Sequence, residues 1–182
     1  MVPAIRERFE QSERLRQQLL VDVQDLDEMQ MAFRPAYDAW SIVQVLQHLM
    51  LVESAVLQYL EKKLQATTFP NAGFGAKIRS KLLNVALRMP VKVKAPQGLA
   101  QPVRAMTFWD VAKRWNDNRD ALESMLGKLT EDHLDSAIFK HLIAGYLNVF
   151  QMFDFIDNHL RHHIIQVNRI KAAKDFPQIQ YE

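Results

Sequence analysis

Asn148-Val-Phe-Gln-Met-Phe-Asp-Phe-Ile-Asp-Asn-His-Leu-Arg-His-His-Ile-Ile-Gln-Val-Asn-Arg-Ile170 reads as one amphipathic helix with a marked start. Asn148 and Gln151 make a capping pair, in which the asparagine side chain accepts the amide three residues on and the glutamine reaches back. Met152, Ile156, Leu160, Val167 and Ile170 recur at helical spacing, widened by Phe153, Phe155 and Ile164. The helix is expected to run to about Ala173, ahead of Pro177. His159 and His163 are four residues apart, so both imidazoles leave one face about a turn apart, a separation at which two rings can share one ion. His162, three residues from His159, offers another pair. It lies close to Asp154, Asp157, Asn158, Arg161 and Gln166, a wetter rim, whereas His163 stands between Leu160, Ile164 and Val167. That contrast favours His159 with His163.

Working outward, three more long helices emerge. Ser41 with Gln44 fits a capping box and opens a helix whose apolar stripe is Val45, Leu46, Leu49, Val52, Val56 and Leu60, fading near Gln65. His48 lies mid-helix within that stripe. Thr107, with Asp110 three residues on, opens another, with Phe108, Val111, Trp115, Leu122 and Leu126 on its core side and Gly127 near its end. The first long helix is expected from about Ala4 to Glu28, carrying Ile5, Phe9, Leu15, Leu19 and Val23, and stopping before Pro35. Between the second and third, breakers at Pro70 and Gly73 precede a shorter helix over Ala76 to Arg88 and an extended stretch from Val91 to Met106. Leu129 to Leu147 shows no clear period, and His133 and His141 within it read as surface or loop residues. The expected class is all-α: a four-helix bundle with a long crossover between the second and third long helices, in a single domain over residues 1–182.

Composition narrows the chemistry. With no cysteine among 182 residues, disulfides, zinc–thiolate sites, iron–sulfur clusters and cysteine nucleophiles are excluded together. A metal site must use nitrogen and oxygen ligands. No apolar run reaches the roughly 18–20 residues of a membrane span, and the first ten residues lack the basic-then-apolar order of a signal peptide. A cytoplasmic location without membrane association is the expectation. The net charge of +2 is unevenly spread: Lys62 to Arg104 carries nine basic residues and no acidic one. Such a segment reads first as a solvated crossover and second as an attractor of anions. It holds no recognition motif, so no nucleic-acid partner is expected. Met29, Met31 and Phe33 are candidates for a face shared with a second subunit.

Two stretches resemble the DinB-like superfamily, four-helix bundles with a three-histidine metal site. Trp40-Ser-Ile-Val-Gln-Val-Leu-Gln-His48-Leu is similar to the family's entry to its second helix, Trp-Ser followed at a fixed distance by His-Leu. His159-Leu-Arg-His-His163-Ile-Ile-Gln166 is similar to its His-x-x-x-His-x-x-Gln element on the last helix. Lys92-Val-Lys-Ala-Pro96 and Phe139-Lys-His-Leu-Ile-Ala-Gly145 resemble the segments expected between them, and the order matches over nearly the whole chain. The extra His162 departs from the pattern. The resemblance implies that His48, His159 and His163 ligate a divalent metal, zinc or nickel, and that the protein forms a homodimer. It also implies a metal-dependent thiol transferase or hydrolase acting on a small molecule.

Three neutral imidazoles leave a coordination position open for water or a substrate atom, as in catalytic rather than structural zinc sites. Any thiol must arrive as a low-molecular-weight cosubstrate, whose carboxylates the basic segment could attract. Gln44 and Gln166 are candidates to orient the ligand rings, with Tyr59 and Asp157 as weaker ones, and no catalytic residue is assigned. The competing expectation is a non-catalytic, metal-stabilised bundle serving as a binding or interaction module.

Overall fold

In a computed structural model, which describes residues 1–65, 106–141 and 144–178, each long helix begins at a proline or a capping box. Pro3 stands in the first turn of α1 (Pro3–Val23), where its missing N–H costs nothing. The Ser41–Gln44, Thr107–Asp110 and Asn148–Gln151 boxes open α3 (Ile42–Leu64), α4 (Phe108–Leu126) and α5 (Val149–Lys171). The first helix is shorter than expected. Asp27 takes an extended conformation and forms its own reciprocal box with Gln30, which ends the α1 run and starts a five-residue α2 (Glu28–Ala32). Gly127 keeps a right-handed conformation (φ −60°), so it ends α4 without a left-handed cap.

The segment with no clear period holds a 3₁₀ turn (Glu131–His133) and a hairpin of β1 (Phe139–His141) and β2 (Gly145–Leu147). Phe139 pairs with Leu147, Lys140 with Tyr146 and His141 with Gly145. Gly145 has φ 74°, a left-handed backbone that a side chain would strain. Three residues per strand are too few for alternation to register. His141, expected on a loop, is therefore a strand residue, with β1 packed against α3 and β2 against α5.

The all-α class holds, with this hairpin as its only sheet among the described residues. Helix α3 packs on α4 and α5, and α1 packs on α5 and α4. The buried apolar residues fall into two clusters. One joins the N-terminal halves of α1 and α5 (Ile5, Phe9, Phe153, Ile156) to the C-terminal halves of α3 and α4 (Val56, Leu60, Leu122, Leu126). The other joins the opposite halves (Leu19, Val23, Leu160, Val167 with Leu46, Leu49, Val111, Trp115). Helices α1 and α5 therefore point one way, and α3 and α4 the other. Two consecutive helices with the same direction need a long connection; residues 66–105, where the short helix and the crossover were expected, lie outside the described residues.

Between the clusters runs a charged layer. Ser12 and Arg16 of α1, Glu53 of α3, Arg119 of α4 and Asp157 of α5 are all buried. Arg119 donates to Glu53 at 2.7 Å and to Ser12 at 3.1 Å, and the Arg16 guanidinium lies 5.6 Å from the Trp115 ring. Of the three residues suggested for a subunit face, Met31 is buried in the second cluster and Phe33 stands edge-on to Phe176 at 5.5 Å. Met29 remains exposed. No helix among the described residues is long and apolar enough to cross a membrane.

Candidate metal centre

His48 lies seven residues into α3 from the Ser41 cap, and His159 and His163 lie one turn apart on α5, which packs against α3. The helix start decides where these rings point. A cap at Ser41 sets the phase of α3 so that the stripe of Val45, Leu46 and Leu49 turns inward, and His48 turns inward with it. His48 and His163 are buried, while His159 keeps partial exposure.

The three rings converge through their Nε2 atoms. His159 Nε2 is 3.3 Å from His48 Nε2 and 3.1 Å from His163 Nε2, and ligand atoms of all three lie within 4.8 Å of one another. Tetrahedral zinc with Zn–N bonds of about 2.0–2.1 Å separates its nitrogen ligands by roughly 3.3 Å. The rings thus stand at chelating distance. His162 is turned differently: its ring stands 5.2 Å from that of His163, and it is not a member of the converging group.

Hydrogen bonding sets the tautomer of His163. Its Nδ1 donates to Gln166 Oε1 at 2.8 Å, an oxygen that can only accept, so Nε2 presents a lone pair towards the other rings. Gln44, the other candidate for ring orientation, is engaged elsewhere. Its Oε1 accepts the Ser41 amide at 2.9 Å, so it closes the capping box. Tyr59, eleven residues beyond His48, is about 16 Å further along α3 at the helical rise. It packs against Phe139 in the first apolar cluster, and Asp157 pairs with Arg8 at 3.3 Å in the charged layer.

Electrostatics keep the His159 and His163 rings neutral. Burial, then repulsion by the neighbouring imidazoles, holds His159 well below the usual histidine value. Burial and the charge that His48 would carry bring His163 down to about 3, against the opposing pull of Gln166. Protonation is therefore a poor way to bridge three converging nitrogens. A single shared proton can satisfy one nitrogen–nitrogen contact and leaves the third ring unmatched, whereas one cation answers all three. The residues fit a bound divalent metal ion.

Aromatic rings wall the group. Trp40, immediately before the cap, lies 5.0 Å from His48 and nearly parallel to His163 at 6.3 Å. Phe155 stacks on His159 at 5.6 Å, and His141 packs on Phe155 at 4.5 Å. The Ala144 amide donates to His141 Nδ1 at 3.2 Å, which leaves the proton of the neutral ring on Nε2. His141 was not singled out in the sequence, because the fold of the hairpin alone brings it beside α5. His133 accepts the Thr130 amide at 3.0 Å and serves the 3₁₀ turn, consistent with a residue outside the site.

Glu53 and Arg119 were also not singled out. The signal existed: a glutamate between Val52 and Val56 and an arginine between Trp115 and Leu122 break apolar stripes. A cavity bounded by α3, α4 and α5 is lined by Glu53, Trp115, Arg119 and His159, which links the charged layer to the histidine group. Burial raises the Glu53 carboxyl above the usual range, with the Arg119 guanidinium opposing that rise.

Comparison with known proteins adds relationship to this geometry. The model of the DinB superfamily matches residues 11–167. An uncharacterized protein of Bacillus subtilis (strain 168), YuaE, is 26% identical over 151 residues, covering 82% of this chain and 88% of its own. No solved structure matches.

Proposed function

Since the chain belongs to the DinB superfamily, we propose that it is a metal-dependent enzyme in which His48, His159 and His163 hold a divalent ion, zinc or nickel, and a fourth position admits water or a small thiol. The observation that carries this reading is the convergence of three Nε2 atoms at 3.1 and 3.3 Å, with the pKa values of His159 and His163 pressed down. A bound ion would supply Lewis acidity, polarising a carbonyl or lowering the pKa of a bound water or thiol towards neutrality. The chain's own residues supply the rest. Gln166 fixes the His163 tautomer, the Ser41 box sets the inward phase of His48, and Trp40 and Phe155 exclude water from two sides of the rings. His141 packs on Phe155 at the edge of this wall, its Nδ1 accepting the Ala144 amide.

Because the chain has no cysteine, a thiol in the reaction belongs to a cosubstrate. We read the reaction as small-molecule thiol transfer or hydrolysis. The test is metal analysis of purified protein beside a His48→Ala/His163→Ala variant. One equivalent of metal in the wild type and almost none in the variant is the expected result. Equal, near-zero content in both, even after added divalent metal, ends the reading. Catalysis is then tested on the metal-loaded protein with small electrophiles, with and without a low-molecular-weight thiol; turnover that requires the thiol assigns transfer, and turnover in water alone assigns hydrolysis.

A further inference from the structure

Four polar groups meet at the cavity bounded by α3, α4 and α5. Glu53 uses Oε2 to accept from Arg119 Nη2 at 2.7 Å, while its Oε1 has no hydrogen-bond partner among the described residues. Trp115 Nε1 makes no well-formed bond either, although its indole N–H acts on the Glu53 carboxyl and helps hold its pKa down, and Arg119 Nε lies 3.6 Å from Glu13 Oε2 in a long ion pair. All three atoms are buried. The fourth group is His159, which lines the same cavity. Its Nε2 is turned to the other two rings, so Nδ1 is the nitrogen left to engage the cavity.

Buried polar atoms are almost always satisfied, by protein or by ordered water. A water needs room for about one probe sphere and two to four polar partners, and this cavity provides both. The donor and acceptor are complementary. A water here would accept from His159 Nδ1–H and donate to Glu53 Oε1.

We propose that one ordered water in this cavity ties the Glu53 carboxylate to His159 Nδ1, which makes Glu53 a positioning residue for the metal centre. The proposal rests on the metal-binding reading above and deepens it. His163 has its Nδ1 held directly by Gln166, and the water gives His159 an equivalent hold from the charged layer. A carboxylate behind a ligand imidazole fixes its tautomer and raises its basicity, and loss of such a partner typically weakens metal binding about 10–100-fold. The buried ion pairs of the layer thereby acquire a role at the metal centre, because Arg119 orients the carboxylate that the water reads.

The experiment is a titration of metal-free protein with Co²⁺, followed by its visible absorption, alongside melting of each metal-free protein. Wild type, Glu53→Gln and a Glu53→Met/Arg119→Met double variant are compared. The double variant matters because an apolar replacement of a whole buried ion pair is often neutral for folding, whereas removal of one partner is not; if Glu53→Gln does not fold, the double variant decides. Both variants are expected to bind Co²⁺ about 10–100-fold more weakly than wild type, with an altered spectrum. Unchanged Co²⁺ affinity and spectrum in variants whose melting temperature alone has moved assigns Glu53 a structural role and overturns the proposal. Wild type that takes up no Co²⁺ defeats the metal-centre reading itself, an outcome distinct from normal wild-type binding with unaffected variants. A high-resolution structure of the metal-loaded protein checks the link directly: a water bonded to both Glu53 Oε1 and His159 Nδ1 supports it, and a dry cavity overturns it.

Discussion

In the charged layer every cation faces an anion. Arg119 meets Glu53, Arg16 meets Glu13, and Arg8 meets Asp154 and Asp157. In the histidine group, built partly on the same α5, three like rings face one another at 3.1 and 3.3 Å through their Nε2 atoms. Both interrupt an apolar core, yet the first is largely answered by the protein's own charges and the second asks for a cation from outside. Buried polar groups of the first kind are part of the fold. Those of the second kind suit a bound cation, since desolvation disfavours the protonated forms of His159 and His163.

Perturbing each region tests that distinction. The largest effect is expected from His48→Ala/His163→Ala, which should abolish metal retention while the metal-free protein still melts cooperatively, because two mutually repelling rings have gone. If that variant unfolds without metal, the histidines belong to the fold after all. Next is Arg119→Ala, which strands the Glu53 charge in the core and should cost about 3–5 kcal/mol in urea unfolding of the metal-free protein. A cost under about 1 kcal/mol would place Arg119 with exposed pairs. Gln166→Ala should weaken metal binding about 10–100-fold, or roughly 1.4–2.7 kcal/mol, with little effect on metal-free stability. Equal affinity in competition against a chelator removes Gln166 from the centre.

A pH dependence of similar size to the Gln166 effect follows over the accessible pH range. The His163 pKa falls from 6.5 to about 3 on folding, so below pH 6.5 the unfolded chain holds a proton that the folded one refuses. This contribution is whole above pH 6.5 and is lost as pH falls towards 3, at about 1.4 kcal/mol per pH unit for one such group. His159, also lowered, acts in the same direction. Metal-free protein should therefore lose stability between pH 7.5 and 5.5, and the double histidine variant should lose less. Identical slopes for the two would show that the rings are not what titrates.

Local signals were legible where the physics is local. The boxes at Ser41–Gln44, Thr107–Asp110 and Asn148–Gln151 each involve atoms within three residues, and all three formed. The Asp27–Gln30 box follows the same grammar but lies inside an apparently continuous apolar pattern, so the sequence alone extends α1 to Glu28. The hairpin escaped because three-residue strands carry too little alternation. Gln44 and Gln166 were indistinguishable as ring partners in the sequence. Only the structure sends one to an amide in its own capping box and the other to an imidazole.

What the chain settles by itself is which side chains a helix presents together: the four-residue interval of His159 and His163, and the depth of His48 in an apolar stripe. These follow from 3.6 residues per turn and from the cost of exposing apolar faces. Tertiary packing settled the rest. It brought residue 48 to residues 159 and 163, separated His162 from them, laid Glu53 and Arg119 across the core and carried His141 to α5. Contacts between distant segments depend on how helices dock, and periodicity along one helix holds no record of its neighbour.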